Sequence, residues 1–134
     1  MPMKTIQEYL GDANKMVPRL PVEDAISWHK MGKGLFIDIR DGLTIQTTGT
    51  IPGALHIPRG FLEFAADDST DLHYAELHRD ASIVLMCMAG GMSALAGKTL
   101  IEMGYRNVVN GGGFHAWQQA GGPVAPFSGT DQQE

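Results

Sequence analysis

The stretch Ser82-Ile83-Val84-Leu85-Met86-Cys87-Met88-Ala89-Gly90-Gly91-Met92-Ser93 decides the fold. Ser82 to Met86 is a near-continuous apolar run, the pattern of a strand buried on both faces in the middle of a parallel sheet. A cysteine and a glycine pair end it. Beyond them Met92, Leu95, Ala96, Thr99, Leu100 and Met103 recur at helical spacing until Gly104 stops the run. Asn107-Val108-Val109 then reads as the next strand. Strand, turn, helix and strand together have the length that a right-handed parallel crossover needs.

Working outward, Leu35-Phe36-Ile37-Asp38-Ile39 and the short Leu55-His56-Ile57 are further strands. Thr5 to Met16 has a helical pattern, with Ile6, Tyr9, Leu10, Ala13 and Val17 on one side. Pro18 and Pro21 bracket Arg19-Leu20, a short strand candidate. A second helix starts at Val22, with Glu23 and Asp24 at its positive end and Gly32 and Gly34 closing it. A last helix carries Phe114, Trp117 and Gln118. Ala65 to Asp80 reads as loop plus a short helix, and Ser128 to Glu134 as a polar tail. The alternation predicts an α/β domain, a parallel sheet covered by helices on both faces. Ligands of such sheets sit beyond the C-terminal strand ends, here at Met86-Cys87, Ile39-Arg40-Asp41 and Ile57-Pro58-Arg59.

The bulk numbers bound the function. A chain of 134 residues fits one ordinary domain. Ten basic against fifteen acidic residues give a net charge of -5 with no Lys/Arg cluster, which argues against nucleic acid as a partner. No apolar run approaches the roughly 20 residues that span a bilayer, so no membrane role is expected. Met1-Pro2-Met3-Lys4-Thr5 leads into a polar stretch unlike a secretory signal. A single cysteine makes no intrachain disulfide and suits a reducing compartment, so the expected location is the cytoplasm.

The loop Cys87-Met88-Ala89-Gly90-Gly91-Met92-Ser93 carries the chemistry. A cysteine leaving a buried strand and facing a helix start meets unpaired amides and the positive end of the helix dipole. Two adjacent glycines let those amides converge into an anion-binding nest. Both effects favour thiolate over thiol, and the same amides can hold a persulfide. Against this stands the plainer reading, in which a lone cysteine after a strand is a small buried hydrophobe. The glycine pair and the helix behind it bring the two readings level.

The loop resembles the active-site pattern of the rhodanese family, a cysteine opening a six-residue loop of the form Cys-x-x-Gly-x-Arg. Three more stretches resemble that family in the same order. They are Phe36-Ile37-Asp38-Ile39-Arg40, Gly49-Thr50-Ile51-Pro52-Gly53-Ala54-Leu55-His56-Ile57-Pro58, and Asn107 to Val124 with Gly112-Gly113-Phe114, Trp117 and Gly121-Gly122-Pro123-Val124. The resemblance spans about Leu20 to Val124. It implies a three-layer, single-domain rhodanese-like fold over 19–127, a five-stranded parallel sheet flanked by helices on both faces, with 1–18 as an N-terminal helical extension and 128–134 as the tail. It further implies a sulfurtransferase in which Cys87 is the nucleophile and Met88, Ala89, Gly90, Gly91, Met92 and Ser93 form the substrate-binding loop. The expected donor is a small sulfur-containing anion of the thiosulfate class or a protein persulfide, and the acceptor a thiol or a cyanide-like group. No metal or organic cofactor is expected.

Two positions depart from the pattern. Met92 stands where the family has Arg, and a thioether supplies neither charge nor an N–H. Losing that contact to a dianion costs on the order of 1.5–3 kcal/mol, about tenfold or more in rate or affinity. Thr50 replaces a histidine in a turn whose role is packing. Met92 keeps open an alternative, a sulfur carrier or binding module of low activity. A cysteine phosphatase would need an arginine six residues after the cysteine, where Ser93 stands.

Elsewhere, Arg59 follows a strand at the site edge and could supply the missing cation, although an exposed arginine is the commoner explanation. Asp38 and Arg40 read as a structural pair, His56 as a satisfied core or rim residue, and Trp117 as core packing. His73 and His78 lack ligand spacing for zinc, and nothing singles out His115. Gly111-Gly112-Gly113 lacks a phosphate-loop pattern and reads as close packing of helix on sheet.

Overall fold

The computed structural model describes residues 2–127; the polar tail lies outside them. Four strands, β1 (Leu35–Asp38), β2 (Leu55–His56), β3 (Ser82–Cys87) and β4 (Asn107–Gly113), pair in parallel in the order β2-β1-β3-β4. Helices α1 (Ile6–Met16), α2 (Val22–Lys30), α3 (Gly42–Thr48), α4 (Leu62–Ala66), α5 (Gly91–Glu102) and α6 (Phe114–Gln119) surround them, with a 3-10 turn at Arg59–Phe61.

β3 is apolar throughout because it feeds two cores. Successive strand side chains point to opposite faces. Ile83, Leu85 and Cys87 join Ile37, Ile57, Leu62 and Leu100 on the α4–α5 side. Val84 and Met86 join Ala25, Phe36, Phe114 and Trp117 on the α2–α6 side. Cys87 is thereby fixed, by register alone, on the face that α5 covers.

The sheet has four strands where five were expected. Arg19 forms only an isolated parallel bridge to Asn110, through Leu20 N–H to Asn110 O and Asn110 N–H to Pro18 O at 2.9 Å each. Pro18 and Pro21 on either side have no N–H to extend the ladder. The glycine run also differs from expectation. Gly111 to Gly113 belong to β4 itself, and their bare backbone admits the neighbouring strand and loop rather than a helix. A Cβ on Gly111 would stand 2.6 Å from Val84 Cγ1, and one on Gly113 would stand 2.6 Å from Ala89 Cα.

α1 begins with a capping box, Thr5 Oγ1 accepting from Glu8 N–H while the Glu8 carboxylate accepts from Thr5 N–H. It buries Ala13 and leads to buried Val17, which lies against Gly97 of α5, where a Cβ would come within 2.8 Å of Val17 Cγ1. α3 has no counterpart in the sequence reading; Asp41 caps it by accepting from Thr44 N–H at 2.9 Å. The short helix expected within Ala65 to Asp80 starts earlier, at Leu62, and turns follow it.

Candidate active site

The C-terminal strand ends bring Asp38, His56, Cys87 and Gly113 to one edge of the sheet. The register between β3 and β4 slips between Leu85 and Cys87, which turns the chain out of the ladder where the loop begins. Cys87 Sγ accepts hydrogen bonds from the amides of Gly90 at 3.0 Å and Ser93 at 3.3 Å. Gly90 makes the curl possible. It caps α5 with φ +106°, a left-handed conformation that a side chain rarely adopts. The sulfur therefore sits at the positive end of a twelve-residue helix, facing inward-turned N–H groups.

Cys87 is 1% exposed, and it borders the apolar core while its sulfur keeps two polar partners. Of the six loop residues, Gly90 and Ser93 supply the amides and are buried, whereas Met88, Ala89, Gly91 and Met92 form the outer surface. Ser93 adds a hydroxyl. Its Oγ is wholly buried and is, among the described residues, the one buried side-chain polar atom without a hydrogen-bond partner. An unsatisfied buried hydroxyl is costly to the fold.

Two residues that the sequence reading passed over hold the loop from behind. Asn110 is buried; its Nδ2 donates to Gly90 O at 2.9 Å and its Oδ1 accepts from Gly112 N–H at 2.8 Å. Arg19 lays its guanidinium over both glycines, since a Cβ on Gly90 would lie 2.7 Å from Nη1 and one on Gly112 would lie 3.2 Å from Nη2. A polar residue between Val109 and a glycine run was the available signal for Asn110. Arg19 offered none, because its place depends on the bridge to a strand ninety residues away in the chain.

Beside the loop lies a saturated polar ledge. Arg40 Nε donates to Asp38 Oδ1 at 2.9 Å and its Nη2 to Oδ2 at 2.7 Å, with further bonds to Thr48 Oγ1 and Gly49 O at 3.0 Å. Thr50 Oγ1 donates to the same carboxylate at 2.8 Å, and His56 Nε2 donates to Arg40 O at 2.7 Å. The Arg40 guanidinium also lies 4.1 Å from the centre of the Phe114 ring. Asp38, Arg40, Thr50 and His56 are all buried, so this is the expected structural pair with two more members.

A cavity of about 290 Å³ opens between ledge and loop. Met88 and Met92 line it from the loop, Ile39 and Pro58 add apolar surface, and Asp41, Thr44 and Arg59 add polar groups. Arg59 donates from Nη1 to Glu63 at 2.8 Å and from Nη2 to Thr99 Oγ1 at 3.3 Å. Hydrogen bonds from the Thr44 amide, then from its hydroxyl, hold the Asp41 carboxyl below the usual carboxylate range. His73 Nε2 donates to Leu77 O at 2.7 Å, and His78 and His115 are exposed. Among the described residues no three His, Cys, Asp or Glu side chains gather as a metal site would require. No helix there is long and apolar enough to cross a membrane.

Fold and loop define a class: a parallel α/β domain that seats a cysteine at a strand-to-helix junction. Residues 22–120 match the model of the Rhodanese-like domain, and the chain belongs to that family. A sulfurtransferase of Allochromatium vinosum is 31% identical over 96 residues, covering 71% of this chain and 81% of that protein. A protein of unknown function from Rhodopseudomonas palustris, described as a possible tyrosine phosphatase, superposes with a TM-score of 0.87 at 38% identity, over 93% of this chain and 99% of its own. The polysulfide-sulfur transferase homodimer of Wolinella succinogenes gives a TM-score of 0.69 at 26% identity, over 93% and 90%.

Proposed function

We propose that this protein is a sulfurtransferase that carries sulfane sulfur as a persulfide on Cys87, from a thiosulfate- or persulfide-type donor to a thiophilic acceptor, in the cytoplasm. The Cys87 thiolate attacks the outer sulfur of the donor. A new S–S bond forms, the donor's own bond to that sulfur breaks, and sulfite or a thiolate leaves with the electron pair. The acceptor, a thiolate or cyanide, then attacks the outer sulfur of the persulfide and returns Cys87 to its thiolate. The loop Met88 to Ser93 cradles the charged sulfur in both half-reactions. The Gly90 and Ser93 amides aimed at Sγ carry this reading, because preorganised donors favour a sulfur anion without reorganisation. The Ser93 hydroxyl, buried in the same loop without a hydrogen-bond partner, is a further donor that a persulfide could engage. Intact-mass measurement after incubation with thiosulfate or a low-molecular-weight persulfide tests it: the expected product is protein plus one sulfur atom, placed on Cys87 by peptide mapping. Absence of that adduct with every donor overturns it.

A second reading has its own observation. The loop positions Met88 to Ser93 carry no guanidinium, so a sulfur carrier that turns over slowly also fits. A cyanide-thiosulfate rate that Met92→Arg raises would favour the carrier, and a high wild-type rate would dismiss it. The same lack of a loop arginine weighs against phosphatase chemistry, which must clasp a tetrahedral oxyanion.

A further inference from the structure

Of the five arginines, four face a carboxylate: Arg40 with Asp38, Arg59 with Glu63, Arg79 with Asp68 and Arg106 with Asp80. Arg19 alone has no acidic partner among the described residues, in a chain whose net charge is -5. Its backbone is fixed. Pro18 and Pro21 stiffen the segment, and the two backbone bonds to Asn110 pin it beside β4. Its guanidinium lies where side chains on Gly90 and Gly112 would stand, and both glycines have left-handed φ, +106° and +91°. A Cβ on Gly90 would meet Nη1, Cζ and Nη2 all within 3.0 Å. The bare Gly90 backbone thus makes room for the cation, while its N–H reaches Cys87 Sγ at 3.0 Å. One residue separates the charge from the sulfur, a gap of the order of the Debye length, about 8 Å at physiological salt.

We infer that Arg19 is an electrostatic positioning residue of the sulfur site: from behind the loop, its guanidinium supplies the positive charge that no residue from Met88 to Ser93 carries. The inference rests on the sulfurtransferase reading and adds a residue to that site. When thiosulfate reacts, a thiolate meets a dianion, so three negative charges gather at the sulfur before sulfite carries two of them away. The two amides facing Sγ bring only partial charges. Arg40 and Arg59 are each offset by a carboxylate. Arg19 is not offset, and it does not line the cavity, so its field acts on the sulfur without contact with the donor. Lysine at this position keeps the charge and loses the flat contact with the two glycines. Glutamine keeps a planar polar end and loses the charge.

The test compares alkylation of Cys87 by iodoacetate and by iodoacetamide, reagents of similar size that differ by one negative charge. The ratio of their rates, divided by the same ratio for a simple free thiol, reads the field at the sulfur and cancels access and thiolate fraction. At low ionic strength the wild type and Arg19→Lys should stand level, with Arg19→Gln below them and Arg19→Glu lowest. Each unit of charge removed should lower the ratio by about three- to tenfold. The spread should shrink several-fold in about 0.5 M salt. Adduct formation from thiosulfate should follow the same order. Position 19 is exposed, so the variants keep the fold. A ratio that falls equally in all three variants, or that ignores charge while the melting midpoint drops, would make Arg19 a brace only. That outcome overturns the inference and leaves sulfur transfer standing wherever the one-sulfur adduct still forms. A charge-ordered ratio in a protein that takes sulfur from no donor keeps the field and removes the sulfurtransferase reading. Alkylation by neither reagent places Sγ beyond the reach of small anions and removes both.

Discussion

At the end of β1, Asp38 and Arg40 cancel one another, and Thr48, Gly49, Thr50 and His56 take up further hydrogen-bonding capacity around them. At the end of β3, the next strand in the sheet, amide donors converge on one sulfur and a serine hydroxyl has no partner at all. Both regions are buried and polar. The first is closed, with its charge balanced internally, which is what a structural brace requires. The second leaves hydrogen-bonding capacity in reserve, which is what a site that changes chemical state requires. Neighbouring strand ends in one sheet thus divide the work, and the degree of satisfaction distinguishes them better than burial does.

Substitutions can break that contrast. Cys87→Ala should abolish the one-sulfur adduct entirely by intact mass while the thermal transition moves little, since alanine fills most of the thiol's place. Asp38→Ala should do the reverse. It strands a buried guanidinium, so a loss of about 3–5 kcal/mol is expected by urea unfolding. Asn110→Ala removes the bonds to Gly90 O and Gly112 N–H and should cost about 1–3 kcal/mol, with slower adduct formation in step. Ser93→Ala should separate stability from activity. Its buried hydroxyl has no partner and costs the fold, so the variant should be more stable by up to about 1–3 kcal/mol, while persulfide formation slows by roughly tenfold. A drop in stability for Ser93→Ala would show that the hydroxyl braces the fold, and the contrast would fail.

The smallest effect concerns pH at the exposed end of the ledge. Asp41 has a carboxyl held below its ordinary value by Thr44. Its capping contribution is therefore present above the pH at which the unfolded carboxyl titrates, and it is lost as pH falls through the lower folded value. Asp41→Ala should flatten that acid limb of the stability curve, read as midpoint against pH. An unchanged limb would show that other carboxylates set it.

Much of this was legible in the sequence, and the gaps have physical causes. β3 could be read because both its faces are buried, which makes every position apolar, and the Cys87 loop because a glycine pair separates that run from a helical repeat. The brace could be guessed from Asp38 and Arg40 lying one residue apart across a strand end. Thr50 was taken as packing and is that, but it also bonds the carboxylate, a contact set by the chain returning to pair with Ala125. α3 escaped because it is short and buries one residue, Ile45, too few for a period to show. Arg19-Leu20 was read as a short strand between two prolines and the resemblance implied five strands, but those prolines reduce it to a single bridge. Asn110 and Arg19 were missed for a common reason: both act on a loop far along the chain, and local pattern says nothing of that.

The close approach of Gly113 to the carbonyl of Met88 and the Cα of Ala89 has a kinetic consequence. With β4 pressed against its back, the loop cannot swing rearward to admit a guest. Entry then falls to the side chains in front, above all the two exposed thioethers, whose rotations take picoseconds to nanoseconds. Such a door opens far faster than any bond between sulfurs is exchanged, so traffic through it would set no ceiling on turnover.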